Sequence, residues 1–399
     1  IFRFYKMSSA IDIFKQHQAQ TFPHPSCLEI ASAKGNYIID IQGKRYLDFV
    51  AGVSACTLGH SNSIIIDALR DQLDKYTHVM VYGEYVQHSQ YKLAKLLSDN
   101  LPDNLNTTYF TNSGAESIEG AIKLAKRATG RSEIISCENS YHGSTQGALS
   151  IMGNEVYKSK YRPLLPDCNK IIYNEVDSLI NITQKTAAVV VEIIQGASGF
   201  IPAQDNFLKK LKERCLQTDT LLIFDEIQTC YGRLGYLFGF EAYGVIPDIL
   251  CVAKGMGAGM PIGAFISSWS LMNMLTFEPK LGHITTFGGH PLNCAASLAC
   301  LEYLISSNIM KRVVEKERLF RQYLRHPRIK EIRGKGLMLA IELEDEYLAK
   351  KVVERSLEKG LILFYFLFSK TSVRVTPPLT ISADEILEGC MIIKSILEE

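Results

Sequence analysis

The sequence predicts an α/β fold, with a mostly parallel sheet flanked by helices and a smaller α/β segment after it. Two observations predict it. Short apolar runs alternate with helical patterns from about residue 108 to 270, and a second alternation of strand-like and helical segments follows residue 325. Alternation of this kind is typical of parallel sheets covered on both faces. Ligands of such sheets bind beyond the carboxyl ends of the strands, so we expect the site at that edge.

The predicted elements follow in chain order. Residues 35–50 alternate apolar and polar side chains around Gln42-Gly43, which predicts a β-hairpin. Strands are predicted in TTYFTN, EIISCE, AAVVVEII, TLLIFDEI, DILCVAK and IGAFISS. Helices are predicted at 64–75, 86–100, 115–129, 204–217, 291–305, 308–325, 346–359 and 383–397.

The length of 399 residues predicts two or three domains. We place an N-terminal arm that forms part of a small domain at residues 1–60. A large domain follows at 61–300, and the C-terminal part of the small domain at 301–399. Met7 is a candidate natural start, a point that the sequence leaves open.

Composition excludes several classes of function. The net charge is +1, from 43 basic and 42 acidic residues, without a long basic run, so we expect no nucleic-acid or membrane-surface partner. No apolar stretch approaches the length of a membrane span. The ten cysteines form no CxxC pair, so we expect no metal site, and their apolar contexts favour a cytoplasmic location.

Two motifs place an acid and an amine near the predicted edge. The run LLIFDEIQ ends a strand on Asp225 and Glu226, which in isolation is equally typical of a solvated strand end with a helix cap. The run VAKGMGAGMPIGA delivers Lys254 before three glycines that permit a tight turn, but it lacks the dinucleotide-binding fingerprint. A lone lysine is usually a surface group, so the pairing with Asp225 is the informative part.

Together these two residues suit pyridoxal 5′-phosphate (PLP). A lysine amine attacks a carbonyl only when it is unprotonated, a state that burial favours. PLP acts as an electron sink when its ring nitrogen is protonated, and a carboxylate beside that nitrogen favours the protonated form. Asp225 and Lys254 therefore fit opposite ends of one cofactor ring.

Three further segments offer cofactor contacts. Asn112-Ser113-Gly114-Ala115 precedes a helical run and forms a candidate phosphate site, although Ser113 with Glu116 also matches an ordinary capping box. Tyr141 and His142 follow a predicted strand, where an aromatic side chain packs either on a cofactor or on the core. The loop TTFGGHP is a second candidate phosphate contact.

The order of these pieces resembles one family. The chain is similar to the class III, fold-type I PLP aminotransferases, the group that contains acetylornithine, ornithine and 4-aminobutyrate aminotransferases. The resemblance covers nearly the whole chain from about Gly35. The matching pieces are NSGAE, YHG, VEIIQG, DEIQTCYGRLG, PDILCVAKGMGAGMPIGA, TTFGGHPLNCAA, EIRGKGLMLAIEL and VRVTPPL.

The resemblance implies a role for each matching residue. It makes Lys254 and Asp225 catalytic, Lys254 by bonding to PLP and moving the proton, Asp225 by pairing with the pyridine nitrogen. The other implied cofactor contacts are Ser113, Gly114 and Ala115 at the phosphate, Tyr141, His142 and Ile227 at the ring, Gln228 at the phenolic oxygen and Thr286 at the phosphate of the neighbouring subunit. The Thr286 contact implies a homodimer with shared active sites.

The residues for substrate recognition depart from the family pattern. Arg374 would bind a substrate carboxylate, or else serve as a structural strand-end arginine. Ala197 stands where many relatives have a Glu that pairs with this arginine, and Glu192 is a distant alternative partner. Ser144 stands where relatives have Arg, and a serine cannot supply a bidentate fork. These departures leave the amine donor open.

The run LILFYFLF at 361–368 is unusually aromatic. We favour a buried strand there, and the alternative is an apolar pocket wall for a less polar donor. Tyr82 and Tyr85 are additional candidate pocket side chains.

The resemblance implies a ping-pong transaminase. It would move the ω-amine of an ornithine-like, acetylornithine-like or other ω-amino acid donor to 2-oxoglutarate, with a small amino acid and a 2-oxo acid as its partners. A PLP-dependent aminomutase or amino-acid racemase remains the alternative. A non-enzymatic PLP-binding protein and an NAD(P) enzyme are less well supported.

Overall fold

The computed structural model describes residues 9–399, so Met7 lies outside the described residues. The strands in chain order are β1 (Ile30–Lys34), β2 (Tyr37–Asp40), β3 (Arg45–Asp48), β4 (Thr107–Thr111), β5 (Glu133–Cys137), β6 (Cys168–Ile171), β7 (Thr186–Glu192), β8 (Ile194–Gln195), β9 (Ile201–Pro202), β10 (Leu221–Asp225), β11 (Ile249–Val252), β12 (Gly263–Ser267), β13 (Ile329–Lys335), β14 (Met338–Leu343), β15 (Leu361–Ile362), β16 (Phe364–Tyr365) and β17 (Ser372–Val375). The α-helices are α1 (Ala10–His17), α2 (Ala51–Ser54), α3 (Ser63–Leu73), α4 (His88–Asp99), α5 (Gly114–Thr129), α6 (Gln146–Ser150), α7 (Asp205–Gln217), α8 (Trp269–Met272), α9 (Pro291–Ser306), α10 (Val313–Tyr323), α11 (Glu346–Glu358) and α12 (Ala383–Leu397).

The central sheet has seven strands in the order β4-β12-β11-β10-β7-β5-β6. Six strands run parallel and β12 is antiparallel to both of its neighbours. All seven residues of β7, TAAVVVE, are buried, as expected for a strand covered on both faces. The α/β class and the mostly parallel sheet predicted from the sequence are confirmed.

Two four-stranded sheets accompany the central sheet, and one of them combines both ends of the chain. Strands β13, β14, β17 and β16 form an antiparallel sheet, and the predicted N-terminal hairpin is present as β2 and β3. Strand β15 adds to β3 in parallel, so a segment after residue 360 completes the N-terminal sheet. The division of the chain into domains at residues 60 and 300 stays a prediction.

The run at 361–368 is not a single strand. Its first part, β15, belongs to the N-terminal sheet, whereas β16 pairs with β17 in the C-terminal sheet. Phe364 is 47% exposed and Leu367 is 45% exposed. The favoured interpretation of a buried strand is therefore wrong, because the chain turns from one sheet to another within this run.

The predicted helices occur within a few residues of their expected bounds, except that 308–325 divides into a short 3₁₀ turn and α10. No helix among residues 9–399 is long and apolar enough to cross a membrane. Within the same residues no group of three or more His, Cys, Asp or Glu side chains is arranged to hold a metal ion. All ten cysteines, which lie between residues 27 and 390, are free.

Candidate active site

A cavity of about 1090 Å³ opens at the carboxyl ends of β4, β5, β7, β10 and β11. Its position is the one expected for a ligand site of a parallel sheet. The predicted site residues that line it are Ser113, Gly114, Ala115, Tyr141, His142, Glu192, Asp225, Ile227, Gln228, Lys254 and Arg374. The two departures from the family pattern, Ser144 and Ala197, line it as well.

The strand register explains why distant residues meet in this cavity. Asp225, the last residue of β10, lies opposite Glu192 at the end of β7 and opposite Cys251 in β11. Lys254 lies two residues after the end of β11, at the start of a 3₁₀ turn. Since β7, β10 and β11 are parallel neighbours, their carboxyl ends bring two acids and an amine to one edge of the sheet.

Asp225 is held by two donors. Nδ1 of His142 lies 2.7 Å from its Oδ2, and the backbone N–H of Ile227 donates to its Oδ1 at 3.0 Å. A carboxylate only accepts hydrogen bonds, so the imidazole donates through Nδ1. Both side chains are buried, and Nε2 of His142 has no partner. His142 therefore fixes the orientation of Asp225 within the cavity.

Lys254 occupies an unusual backbone conformation. Its φ of 47° lies in the left-handed region, which side-chain-bearing residues rarely adopt, and such strain often occurs at functional sites. Thr57 Oγ1 donates to the carbonyl of Gly255 at 2.9 Å and holds the turn. Burial lowers the pKa of Lys254 below its ordinary value, because removal from water disfavours the ammonium form. A larger fraction of this amine is therefore unprotonated near neutral pH.

Glu192 is a second buried acid of the cavity. Its Oε1 accepts from the N–H of Tyr141 at 3.0 Å and its Oε2 from the N–H of Gly196 at 2.7 Å. Burial raises the pKa of Glu192 to about 7, an effect that His142 partly offsets and Asp225 reinforces. Both oxygens of this carboxylate are thus directed to backbone donors.

The start of α5 also lines the cavity. Ser113 caps the helix by accepting from the N–H of Glu116 at 3.2 Å, and the first N–H groups of a helix have no partner within it. A methyl group at Gly114 would lie 2.7 Å from Cδ1 of Ile227, so only glycine allows this close approach. Together these features form a small cradle of the kind that binds a phosphate.

Arg374 lies in β17 and is 5% exposed. Its guanidinium carbon lies 5.0 Å from the ring centre of Phe200 and 4.9 Å from that of Phe366. Its hydrogen bond to Oε1 of Gln228 is long, at 3.4 Å, and its Nε has no partner. No acid among residues 9–399 forms an ion pair with Arg374, and burial lowers its pKa to about 10.

A group of mainly aromatic side chains lines one part of the cavity. This aromatic wall consists of Phe22, Tyr157, Phe364, Tyr365, Phe366 and Leu367. The sequence alternative of an apolar pocket wall at 361–368 thus matches the observed lining. Sequence analysis missed Phe22 and Tyr157, because each lies in a segment without a motif, far along the chain from the other members.

The two departures from the family pattern have simple surroundings. Tyr141 Oη lies 3.1 Å from Oγ of Ser144, which is exposed. Ala197 is buried, and its carbonyl accepts from the N–H of Phe368 at 3.0 Å. Neither residue adds a charge to the cavity.

Three predicted residues lie outside the lining formed by residues 9–399. Thr286 is exposed, and its carbonyl lies 2.8 Å from Nε2 of His78. Tyr82 and Tyr85 lie between α3 and α4, and Tyr85 is 58% exposed. The expectation that Thr286 reaches a neighbouring subunit stays a prediction.

Comparisons with known proteins agree on one family. A family model described as Aminotransferase class-III matches residues 19–397. An acetylornithine aminotransferase of Caldanaerobacter subterraneus subsp. tengcongensis is 37% identical over 382 residues, which is 93% of this chain and 94% of that protein. The solved ornithine aminotransferase of Toxoplasma gondii ME49 superposes with a TM-score of 0.90 at 31% identity, over 98% of this chain and 96% of that one. An amine transaminase from an uncultivated Pseudomonas species, solved in its PLP-bound form, gives a TM-score of 0.87 at 26% identity over 95% and 99% of the two chains.

Proposed function

Because the chain belongs to the class III aminotransferases, we propose that it moves the ω-amino group of an ornithine-like, acetylornithine-like or other ω-amino acid to 2-oxoglutarate. The two substrates would react in turn, in a ping-pong sequence of half-reactions. One observation carries this proposal. Arg374 is buried, forms no ion pair with an acid among residues 9–399, and lines the same cavity as Asp225 and Lys254. One cavity therefore holds a cation that can bind a substrate carboxylate together with the two residues proposed for catalysis.

The enzyme uses PLP, and the residues of the cavity fit this cofactor. The cradle formed by Ser113, Gly114 and Ala115 suits its phosphate. Asp225 would hold the proton of the ring nitrogen, Ile227 and Tyr141 would pack on the ring, and Gln228 would reach the phenolic oxygen. Bound PLP supplies an electron sink for the carbon that carries the amino group.

Lys254 would act as the general base at that carbon. Its burial favours the free amine, which is the form that accepts a proton. Asp225 would remain oriented throughout, since His142 and the N–H of Ile227 both donate to it. Arg374 would hold the substrate carboxylate and so set the distance between this group and the reacting amine.

We further propose a homodimer in which Thr286 reaches the phosphate held by the neighbouring subunit. The exposure of Thr286 supports this, because the residue is available to a second copy. The ten free cysteines support a reducing compartment, so we also propose a cytoplasmic location.

The test uses the purified enzyme loaded with PLP. Candidate donors are added one at a time without any 2-oxo acid, and the visible absorbance of the bound cofactor is recorded. The proposal expects an ω-amino acid to remove the band and 2-oxoglutarate to restore it. Conversion of a donor without any 2-oxo acid would instead identify an aminomutase or a racemase, and a band that no ω-amino acid changes would contradict the proposal.

A further inference from the structure

We propose that the aromatic wall selects donors with one carboxylate and an aromatic or long apolar substituent in place of a second charge. This inference rests on the proposed function and names the substrate class of the same site. The cavity has few basic side chains that can bind a carboxylate. The basic side chains among residues 9–399 that line it are those of Lys254, Arg374 and His142, and His142 is bonded to Asp225. Of these described residues, Arg374 therefore remains for a substrate carboxylate.

Arg374 is also fixed in place. The rings of Phe200 and Phe366 flank its guanidinium, and these two rings pack edge to face at 4.7 Å. Because no acid among the described residues competes for the guanidinium, the carboxylate subsite stays available in both half-reactions. A second carboxylate on the donor would meet the uncharged Ser144 or the aromatic wall.

The aromatic wall is held by contacts that leave apolar surface open. Tyr157 Oη donates to the carbonyl of Leu367 at 2.8 Å, and Phe22 packs on Tyr365 with ring centres 6.2 Å apart. Phe364 and Leu367 nevertheless keep nearly half of their surface exposed, at 47% and 45%. Exposed apolar side chains that line a cavity are typical of a ligand-binding wall.

The physical consequence is a preference among donors. A carboxylate placed against this wall loses hydration without gaining a cationic partner, and an ammonium group regains only part of its lost hydration energy from the aromatic faces. An aryl or alkyl group in the same position removes apolar surface from water and binds more tightly. The structure thus favours an ω-amine donor whose remaining end is apolar over a free diamino acid such as ornithine.

The test compares three donors that differ at one position. Ornithine, Nα-acetylornithine and Nα-benzoylornithine share the reacting amine and the carboxylate, and the second-order rate constant of the first half-reaction is measured for each. We expect the constant to rise along this series, with roughly a ten-fold or larger advantage of the benzoyl compound over ornithine. Equal constants, or an advantage of ornithine, would overturn the inference.

Substitutions of Phe364 and Leu367 test whether the aromatic wall causes the preference for the benzoyl donor. Phe364→Ser and Leu367→Ser should each reduce the ratio of the benzoylornithine constant to the ornithine constant several-fold, and Phe364→Leu should retain most of that ratio. The matched control is Ile180→Ser, which removes an exposed apolar side chain outside the cavity. Equal loss with all three donors would assign these residues a structural role and contradict the inference. If no donor reacts at all, the proposed function itself fails.

Discussion

The floor and the wall of the cavity are built in opposite ways. The floor, formed by Asp225, His142, Glu192, Lys254 and the start of α5, lies at the ends of parallel strands, and its two carboxylates accept hydrogen bonds. The aromatic wall comes from three distant segments and exposes apolar surface. The floor thus contains the groups that fit the shared chemistry, whereas the wall contains those that would distinguish one substrate from another.

Lys254→Ala should have the largest effect of any change to the floor. The variant loses the amine that we propose bonds to the cofactor and moves the proton, so kcat/KM should fall by about 10⁴-fold or more. Lys170→Ala is the matched control, because burial lowers the pKa of Lys170 to about 8 but its Nζ bonds to Ser136 and Ile151 outside the cavity. Comparable losses in both variants would mean that burial of a lysine, rather than its place in the floor, underlies the effect.

Much of the floor could be predicted from the sequence, because its residues lie in contiguous motifs at strand ends. Asp225 ends a buried apolar run and Lys254 follows the next one, and parallel neighbours bring such ends together. The hydrogen bond between His142 and Asp225 was not predictable. It depends on the loop after β5 reaching the end of β10, two strands away in the sheet.

The wall could be predicted only in part. An aromatic run at 361–368 signalled buried apolar surface, but whether that surface faces a core or a cavity depends on the turn between two sheets. Phe22 and Tyr157 carried no signal at all, since single aromatic residues between elements are common. Their contribution requires the tertiary arrangement that brings three segments together.

A buried acid of the floor should make stability depend on pH. The pKa of Glu192 is raised from 4.5 to about 7 in the folded enzyme, so its ionisation disfavours the fold as pH rises through this range. The cost is absent well below pH 4.5, grows between pH 4.5 and pH 7, and amounts to roughly 3 kcal/mol above pH 7. Glutamine at position 192 does not ionise. The free energy of unfolding of Glu192→Gln minus that of the wild type should therefore rise by that amount as the pH increases through this range.

Denaturant unfolding of the enzyme without cofactor, at several pH values, measures this difference. The control is Glu138→Gln, which changes an exposed glutamate in the neighbouring loop. A difference between Glu192→Gln and wild type that stays constant from pH 4.5 to 8 would show that the floor accommodates the Glu192 carboxylate without cost.

Arg374→Leu tests whether Arg374 binds the substrate carboxylate or only supports the aromatic wall. Leucine can still pack between Phe200 and Phe366 but cannot bind a carboxylate. Charge-assisted hydrogen bonds contribute about 1.5–3 kcal/mol, so kcat/KM for ω-amino acids should fall roughly 10–100-fold. The measurement should include an amine without a carboxylate, such as 1-phenylethylamine, whose rate should change little. An equal loss with this amine would indicate that Arg374 supports the wall instead of binding substrate.

Ser144→Arg should give the smallest effect, and it adds a second cation to the lining of the cavity. Residue 144 is exposed and lines the cavity, so an arginine there can reach a second carboxylate while keeping its charge partly in water. An exposed ion pair contributes about 1 kcal/mol or less. The variant should therefore raise kcat/KM for 2-oxoglutarate about five-fold relative to pyruvate, which has a single carboxylate. Ser144→Gln, which adds length without charge, should leave that ratio unchanged. If the arginine improves both 2-oxo acids equally, the second carboxylate does not lie near residue 144, and the wall alone does not account for discrimination between one and two charges.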